Sequence, residues 1–369
     1  MAISKPIITV VIPVHNMAHF LRPCLDSILS DGLNHCNFEV VAVDDASEDE
    51  SGNILDAYAK TYKRLRIIRF SENRGVSAAR NAGVDASCGT YVMFCDPDDS
   101  YVPGAVDCIA AIVKESNPDL VFFRHVECLG QSSADEGRKA PPAESIRQHV
   151  RLYDMKTEAA EEGFQELFTN LWTWNGAFHR RLFANMRFNE RLWPSEDVLG
   201  GVTATCRCAT AAVADTVLYR YNQRPDSCLH RVFLARVKSE IIGIGEFAQE
   251  ARAWPFYHKV AAYVFKPLRR RAFIRPVKAL RQLPRNEQDE AWQLLFDTYF
   301  QVFNLSDSLL DKFISLILKW RSKFLVVNAI SRPLAARVKG VDYLYNIGIR
   351  KRIRQLLPGL SARPDVFGA

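Results

Sequence analysis

Tyr91-Val92-Met93-Phe94-Cys95-Asp96-Pro97-Asp98-Asp99 decides how the rest of the chain is read. Five mostly apolar residues predict a buried strand, and three carboxylates follow within four positions. Aspartate is poor in strands and common in turns, so the strand is expected to stop at Asp96 and present its acids at the carboxyl end. Carboxylates crowded this closely repel one another unless a cation lies between them. Hard oxygen ligands with no neighbouring His or Cys point to Mg²⁺ or Mn²⁺ rather than zinc. In open α/β sheets the ligand sits beyond the carboxyl ends of the strands, where this cluster falls. Taken alone, the stretch also reads as a solvated acidic turn before a helix.

The flanking sequence narrows the choice. Residues 7–13 are a β-branched run closed by Pro13, and residues 20–29 carry Phe20, Leu21, Cys24, Leu25, Ile28 and Leu29 at helical spacing. A strand is predicted over 39–43 with Asp44-Asp45 at its end, then a helix over 47–59 capped by Ser47 or Ser51. A strand over 65–70 and a helix over 76–84, stopped near Gly83 and Gly89, lead into the acidic strand. A helix over 103–113 and a strand over 119–123 complete the alternation. Strand and helix alternating at this pitch predict an α/β fold, a parallel sheet wound with helices on its faces. Residues 130–142 read as a loop, 145–153 and 159–171 as helical, 198–208 as a helix and 213–221 as a strand.

Composition sets wide bounds. The 369 residues can hold two domains, and 48 Lys and Arg against 42 Asp and Glu leave a net charge of only +6. Nine cysteines without metal or disulfide spacing fit reduced thiols in a cytosol. No signal peptide is read at the amino terminus, and no window has the roughly 18 apolar residues of a membrane span. Charge is distributed unevenly. Residues 259–281 hold Lys259, Lys266, Arg269, Arg270, Arg271, Arg275, Lys278 and Arg281 and no acid; residues 314–327 and 349–357 again mix cations with apolar residues. Basic helices with apolar faces suit an anionic membrane surface on the inner face of a cell membrane. They equally suit a helical subdomain whose cations face water. Nucleic acid is not indicated, because no recognised binding motif accompanies the charge.

Four motifs in sequence carry a resemblance. Val11-Ile12-Pro13-Val14-His15-Asn16, Val43-Asp44-Asp45-Ala46-Ser47, the run from Asn73-Arg74-Gly75 to Arg80-Asn81-Ala82-Gly83, and Phe94-Cys95-Asp96-Pro97-Asp98-Asp99 follow one another at fitting spacing. Together they resemble the family 2 glycosyltransferases of the GT-A fold over residues 7–230. The resemblance implies a Rossmann-like, mixed but mainly parallel sheet flanked by helices. Residues 1–125 would form the nucleotide-binding half, 126–230 the acceptor half and 231–369 a basic helical domain.

The resemblance also implies roles. Asp44 and Asp45 would accept hydrogen bonds from a uridine, with Pro13, His15, Asn16 and Ser47 around it; a helix cap is the other reading of Asp45. His15 stands where relatives often carry an aromatic. Arg74, Gly75, Ala79 and Arg80 mark a helix start, where glycine permits close approach, the amide end attracts anions and an arginine fork fits phosphate. Arg80 reads also as a surface ion pair. Asp96 and Asp98 match the acids of the family's D-x-D metal motif around Pro97, with Asp99 beside them, and Asp98 is the first choice for metal contact. Glu196-Asp197 resembles the family's E-D pair, whose aspartate deprotonates the acceptor hydroxyl, contributing about 10²–10⁴-fold. One base and no attacking carboxylate imply inversion. Arg224, Ser227 and His230 could close over a pyrophosphate. Trp174, with Trp172 and Asn175, could meet an acceptor sugar, or simply fill the core. No Q-x-x-R-W motif is present, which suits one sugar per encounter.

The expectation is therefore a metal-dependent transferase that uses a nucleotide sugar, a UDP-sugar first, and a glycan or lipid-linked acceptor. Two rivals stand beside it. A sugar-nucleotide pyrophosphorylase would need the G-x-G-T-x-x loop that Pro13-Val14-His15-Asn16 replaces. A catalytically idle adaptor would bind membranes through its tail.

Overall fold

Strand β1 (Ile8–Val14) is buried along its whole length. Parallel strands flank it, β2 (Phe38–Asp44) on one side and β4 (Tyr91–Phe94) on the other. Helices cover both faces of such a sheet, so an unbroken apolar run is stable where alternation would leave polar groups inside. Beyond β2 lies β3 (Leu65–Arg69), also parallel. The crossovers are α1 (Ala18–Leu29), α2 (Ser51–Thr61) and α3 (Val76–Ala86). The computed structural model describes residues 5–30, 36–129, 138–142, 145–156, 166–167, 172–192, 196–224 and 234–251, with isolated positions between 283 and 294.

The second half of the sheet is mixed. It comprises β5 (Ser100–Tyr101), β6 (Leu120–Leu129), β7 (Val150–Asp154), β8 (Gly176–His179) and β9 (Thr210–Gln223). Strand β8 runs antiparallel to both β4 and β6, β6 and β9 are parallel, and β5 and β7 lie antiparallel on β9. The order is β3-β2-β1-β4-β8-β6-β9-β5, with β7 paired to β9. Helix α4 (Ala105–Ser116) joins β5 to β6; α5 (Glu196–Arg207) precedes β9 and α6 (Leu234–Ala251) follows it.

Several elements differ from the sequence reading. Residues 145–153 are not a helix: a short 3₁₀ turn (Ile146–His149) gives way to β7. The open edge of β9 offers a backbone ladder there, and Val150 and Tyr153 sit well in a strand. Pro13 does not close β1, which continues to Val14; its missing N–H falls beyond Val11–Phe94, where pairing with β4 ends. Gly83 does not stop α3. The helix lies so close to β1 that a Cβ at Gly83 would collide with the Val11 side chain, which accounts for glycine inside the helix. Neither Ser47 nor Ser51 caps α2 in the usual way: their hydroxyls instead accept the backbone N–H groups of Asn16 (3.1 Å) and Met17 (2.9 Å).

The chain divides into two compact units, Met1–Pro276 and Val277–Ala369. Every strand and helix named above belongs to the first. The basic stretches 259–281, 314–327 and 349–357 lie outside the described residues. Among the described residues, no helix is long and apolar enough to cross a membrane.

Candidate functional site

The carboxyl ends of β1, β2 and β4 open on one side of the sheet and lead into segments 15–17, 45–50 and 95–99. The acidic segment is held from behind. The Asp99 carboxylate is buried; it accepts the Tyr219 hydroxyl at 2.8 Å and the Asn222 amide at 2.7 Å. Burial, with Asp98 and Asp96 adding like charge, pushes its carboxyl well above the ordinary range. Tyr219 accepts the Asp96 N–H at 3.1 Å, and Asn222 Nδ2 donates to the Asp98 carbonyl at 2.6 Å. A register shift between β6 and β9 follows Phe123–Ala214, just before Tyr219, a common device for re-aiming side chains beside a site. Asp96 and Asp98 remain partly exposed, at 24% and 18%. Arg224 Nε lies 2.8 Å from Asp98 Oδ2, and its guanidinium stands over the Phe20 ring.

Arg80 does not face an open phosphate site as its motif suggested. Its guanidinium is 3% exposed, with Nη2 at 2.9 Å from Asp96 Oδ1 and Nη1 at 2.7 Å from Glu196 Oε1. Helix α3 brings it from one side and the first turn of α5 brings Glu196 from the other. Burial disfavours its charge, but Asp96, Glu196 and Asp197 together overcome that and raise its pKa. A buried cation is tolerable only with such partners. Arg80 Nε and Glu196 Oε2 are buried without hydrogen-bond partners among the described residues, as is Ser77 Oγ one turn earlier. Buried polar atoms left without partners are places where water or a ligand is expected. Asp197 is pushed up to about 7 by burial, with the charge of Glu196 adding and that of Arg80 opposing. Its Oδ1 accepts the Val198 N–H at 2.7 Å.

The third group lies at the ends of β1 and β2. Asp45 is buried, and both its oxygens are engaged, by Arg74 N–H (2.7 Å) and Gly75 N–H (2.8 Å). Asp45 thereby caps the turn into α3, where Gly75 takes φ 87°. Asp44 is also buried; Oδ1 accepts Ser47 N–H and Oδ2 lies 3.6 Å from Arg69. His15 Nδ1 lies 2.7 Å from the Asp45 carbonyl, while Nε2 meets the amides of Asn73 (2.9 Å) and Asn16 (3.2 Å). These partners assign the proton to Nδ1. Asn16 and Ala46 both have φ 54°, unusual for residues with a Cβ. Arg74 is half exposed and lies over Phe70.

Other candidates take structural places. Pro13 and Pro97 are buried, and Ala79 packs against Val41 and Val43. Trp174 does not present a face to an acceptor: it is buried and stacked with Trp172, Tyr219 and Tyr221. Asn175 is fully buried, 3.4 Å from the Phe123 carbonyl. Ser227 and His230 lie outside the described residues. Phe188, which lies under Arg80, was not singled out in the sequence, and Asn73, Tyr219 and Asn222 stood only inside longer motif segments with no role assigned. The alternating tyrosines 219 and 221 were a usable signal for a strand face, but not for its partner.

Residues 9–183 match the sequence pattern of the family described as Glycosyl transferase family 2. EpsJ of Bacillus subtilis, described as an uncharacterized glycosyltransferase, is 30% identical over 225 residues, covering 60% of this chain and 62% of its own. The glycosyltransferase GlyA of Streptococcus pneumoniae is 31% identical over 49% of this chain and 26% of its own. The chain therefore spans less than two thirds of the length of these relatives. Among solved structures, S. aureus TarS residues 1–349 with UDP-GlcNAc superposes with a TM-score of 0.63 at 19% identity, covering 80% of this chain and 81% of that one. Its complex with UDP gives 0.60 at 20% identity, covering 79% of each chain. These superpositions show a shared fold, that of the GT-A glycosyltransferases.

Proposed function

We propose that this chain, whose residues 9–183 match glycosyltransferase family 2, moves a sugar from a UDP-sugar to a hydroxyl of a glycan or lipid-linked acceptor. The reaction inverts the anomeric carbon, and the setting is surface-polysaccharide biosynthesis. One observation carries this reading. Arg80 joins Asp96, of the acidic turn, to Glu196, the neighbour of Asp197. Donor-side acids and a carboxylate tuned near neutrality are thereby drawn into one cluster.

In this reading the nucleoside lies along His15, Asn16, Asp44, Ser47 and Arg74, with Asp45 keeping the 73–75 turn in shape. The resemblance of the fold to TarS, a protein solved with UDP and UDP-GlcNAc, supports a nucleotide-sugar donor. Asp96 and Asp98 would hold Mn²⁺ or Mg²⁺. Hard carboxylates with partial exposure fit such an ion. A bound ion would supply neutralisation of charge on the leaving diphosphate. Arg224 stands close enough to Asp98 to serve the same diphosphate.

Asp197 takes the proton from the acceptor hydroxyl as its oxygen attacks the anomeric carbon from the face opposite the leaving phosphate. Glu196 is committed to Arg80 and holds the arginine rather than the substrate. With one base and no carboxylate placed to attack the sugar, displacement occurs once and configuration inverts. The basic carboxyl-terminal stretches would keep the enzyme at an anionic membrane surface where a lipid-linked acceptor resides.

The experiment is a panel of nucleotide sugars with Mn²⁺, followed by thermal shift and by release of nucleoside diphosphate. A UDP-sugar should raise the melting temperature and turn over, because a ligand bound only by the folded form stabilises it. No stabilisation and no turnover with any nucleotide sugar would refute the proposal.

A further inference from the structure

The geometry points to Tyr219, Asp99 and Asn222 as positioning residues, which hold the Asp96 and Asp98 carboxylates in the arrangement that takes the divalent cation. The inference rests on the reading of Asp96 and Asp98 given above and adds residues that touch neither cation nor substrate. Its basis is a closed set of hydrogen bonds between the end of β9 and the acidic turn, 120 or more residues apart in sequence. Tyr219 accepts from the Asp96 N–H at 3.1 Å and donates to Asp99 Oδ2 at 2.8 Å. Asn222 donates its own N–H to Asp99 Oδ1 at 2.7 Å and its Nδ2 to the Asp98 carbonyl at 2.6 Å. The turn adds a bond of its own, Asp99 N–H to the Asp96 carbonyl at 3.0 Å.

The consequence is steric as well as electrostatic. Asp99 cannot turn toward the mouth, since both its oxygens are occupied in the interior. The backbone at Asp96 and Asp98 is pinned at each residue, so two carboxylates two positions apart keep their partial exposure. Tyr219 is itself fixed: it is fully buried, stacked on Trp174 and edge-on to Tyr101, whose own hydroxyl donates to the Phe94 carbonyl at 2.8 Å. Two aromatic residues thus tie the end of β4 to β9. Groups that orient ligating carboxylates are worth about 10–100-fold in metal affinity.

The test measures Mn²⁺ binding by electron paramagnetic resonance of the free ion, on the full chain, for wild type, Tyr219→Phe, Asn222→Ala and Asp98→Ala. Melting temperature and UDP affinity without metal are recorded alongside. Tyr219→Phe keeps the ring and its stacking and removes only the hydroxyl; Asn222→Ala alters a partly exposed residue and leaves its backbone N–H on Asp99. Both should weaken Mn²⁺ by about tenfold or more while metal-free UDP affinity is unchanged, and Asp98→Ala should abolish binding. If Asp98→Ala abolishes binding while Tyr219→Phe and Asn222→Ala stay within twofold of wild type, the positioning role is wrong and the cation site stands. If wild type binds no Mn²⁺, or Asp98→Ala binds it equally, the cation reading fails and the inference falls with it.

Discussion

Asp197 is placed where its two protonation states do opposite things. Its pKa of about 7 lies above the ordinary carboxylate value of 3.8, so the folded chain holds a proton there that the unfolded chain has lost. Its contribution to stability is therefore full below pH 3.8 and is lost as pH climbs to about 7. In the proposed reaction the requirement runs the other way, because only the ionised form accepts a proton. The kcat/KM profile should show a rising limb near pH 7. Asp197→Asn should lower kcat by about 10²–10⁴-fold and melt at a higher temperature than wild type at pH 8. A wild-type profile flat from pH 5 to 9 would exclude Asp197 as the base. Arg80 poses the converse case. Arg80→Met strands two carboxylates, one of them buried, and should cost about 3–5 kcal/mol in denaturant unfolding. Both residues were legible as candidates, Arg80 from the third of the four motifs and Asp197 from the Glu196-Asp197 pair. The partners were not: that Arg80 meets Glu196 across 116 residues, and that Asp45 spends its carboxylate on Arg74 and Gly75, depends on how α3 and α5 converge.

Among the elements, α3 carries both the Asp45-capped turn at its start and Arg80 in its middle. Its seat on β1 is set by Gly83. Gly83→Ala would gain helix propensity, about 1 kcal/mol in an open helix, yet must push α3 off Val11. A net destabilisation of about 1–3 kcal/mol is expected, with transfer falling further than stability as Arg80 moves. A stabilised or unchanged variant would show that the helix has room to spare. Strands β1, β2 and β4 could be read from sequence because full burial demands continuous apolar runs. Strands β5 and β7 could not: two residues give no pattern, and Val150–Asp154 become a strand only because β9 supplies a ladder. The start of α2 was misread at Ser47 for a related reason, since that hydroxyl serves Asn16 rather than its own helix.

For the whole molecule, the sheet gathers three strand ends, two helix starts and the end of β9 at one mouth, and the proposed reaction depends on this convergence. The uneven charge of the chain adds a second prediction at this scale. The 369-residue chain should sediment with vesicles containing anionic lipid and not with neutral ones, and binding should weaken as salt rises. Equal recovery with both would leave the basic stretches as a solvated surface. The convergence itself is tested most directly by ³¹P resonance of bound UDP in the presence of Mn²⁺. Wild type and Asp197→Asn should both show paramagnetic broadening of the two phosphorus signals, while Asp98→Ala should bind UDP without it. Equal broadening in Asp98→Ala would place the cation, and with it the diphosphate, away from the acidic turn and would contradict the account.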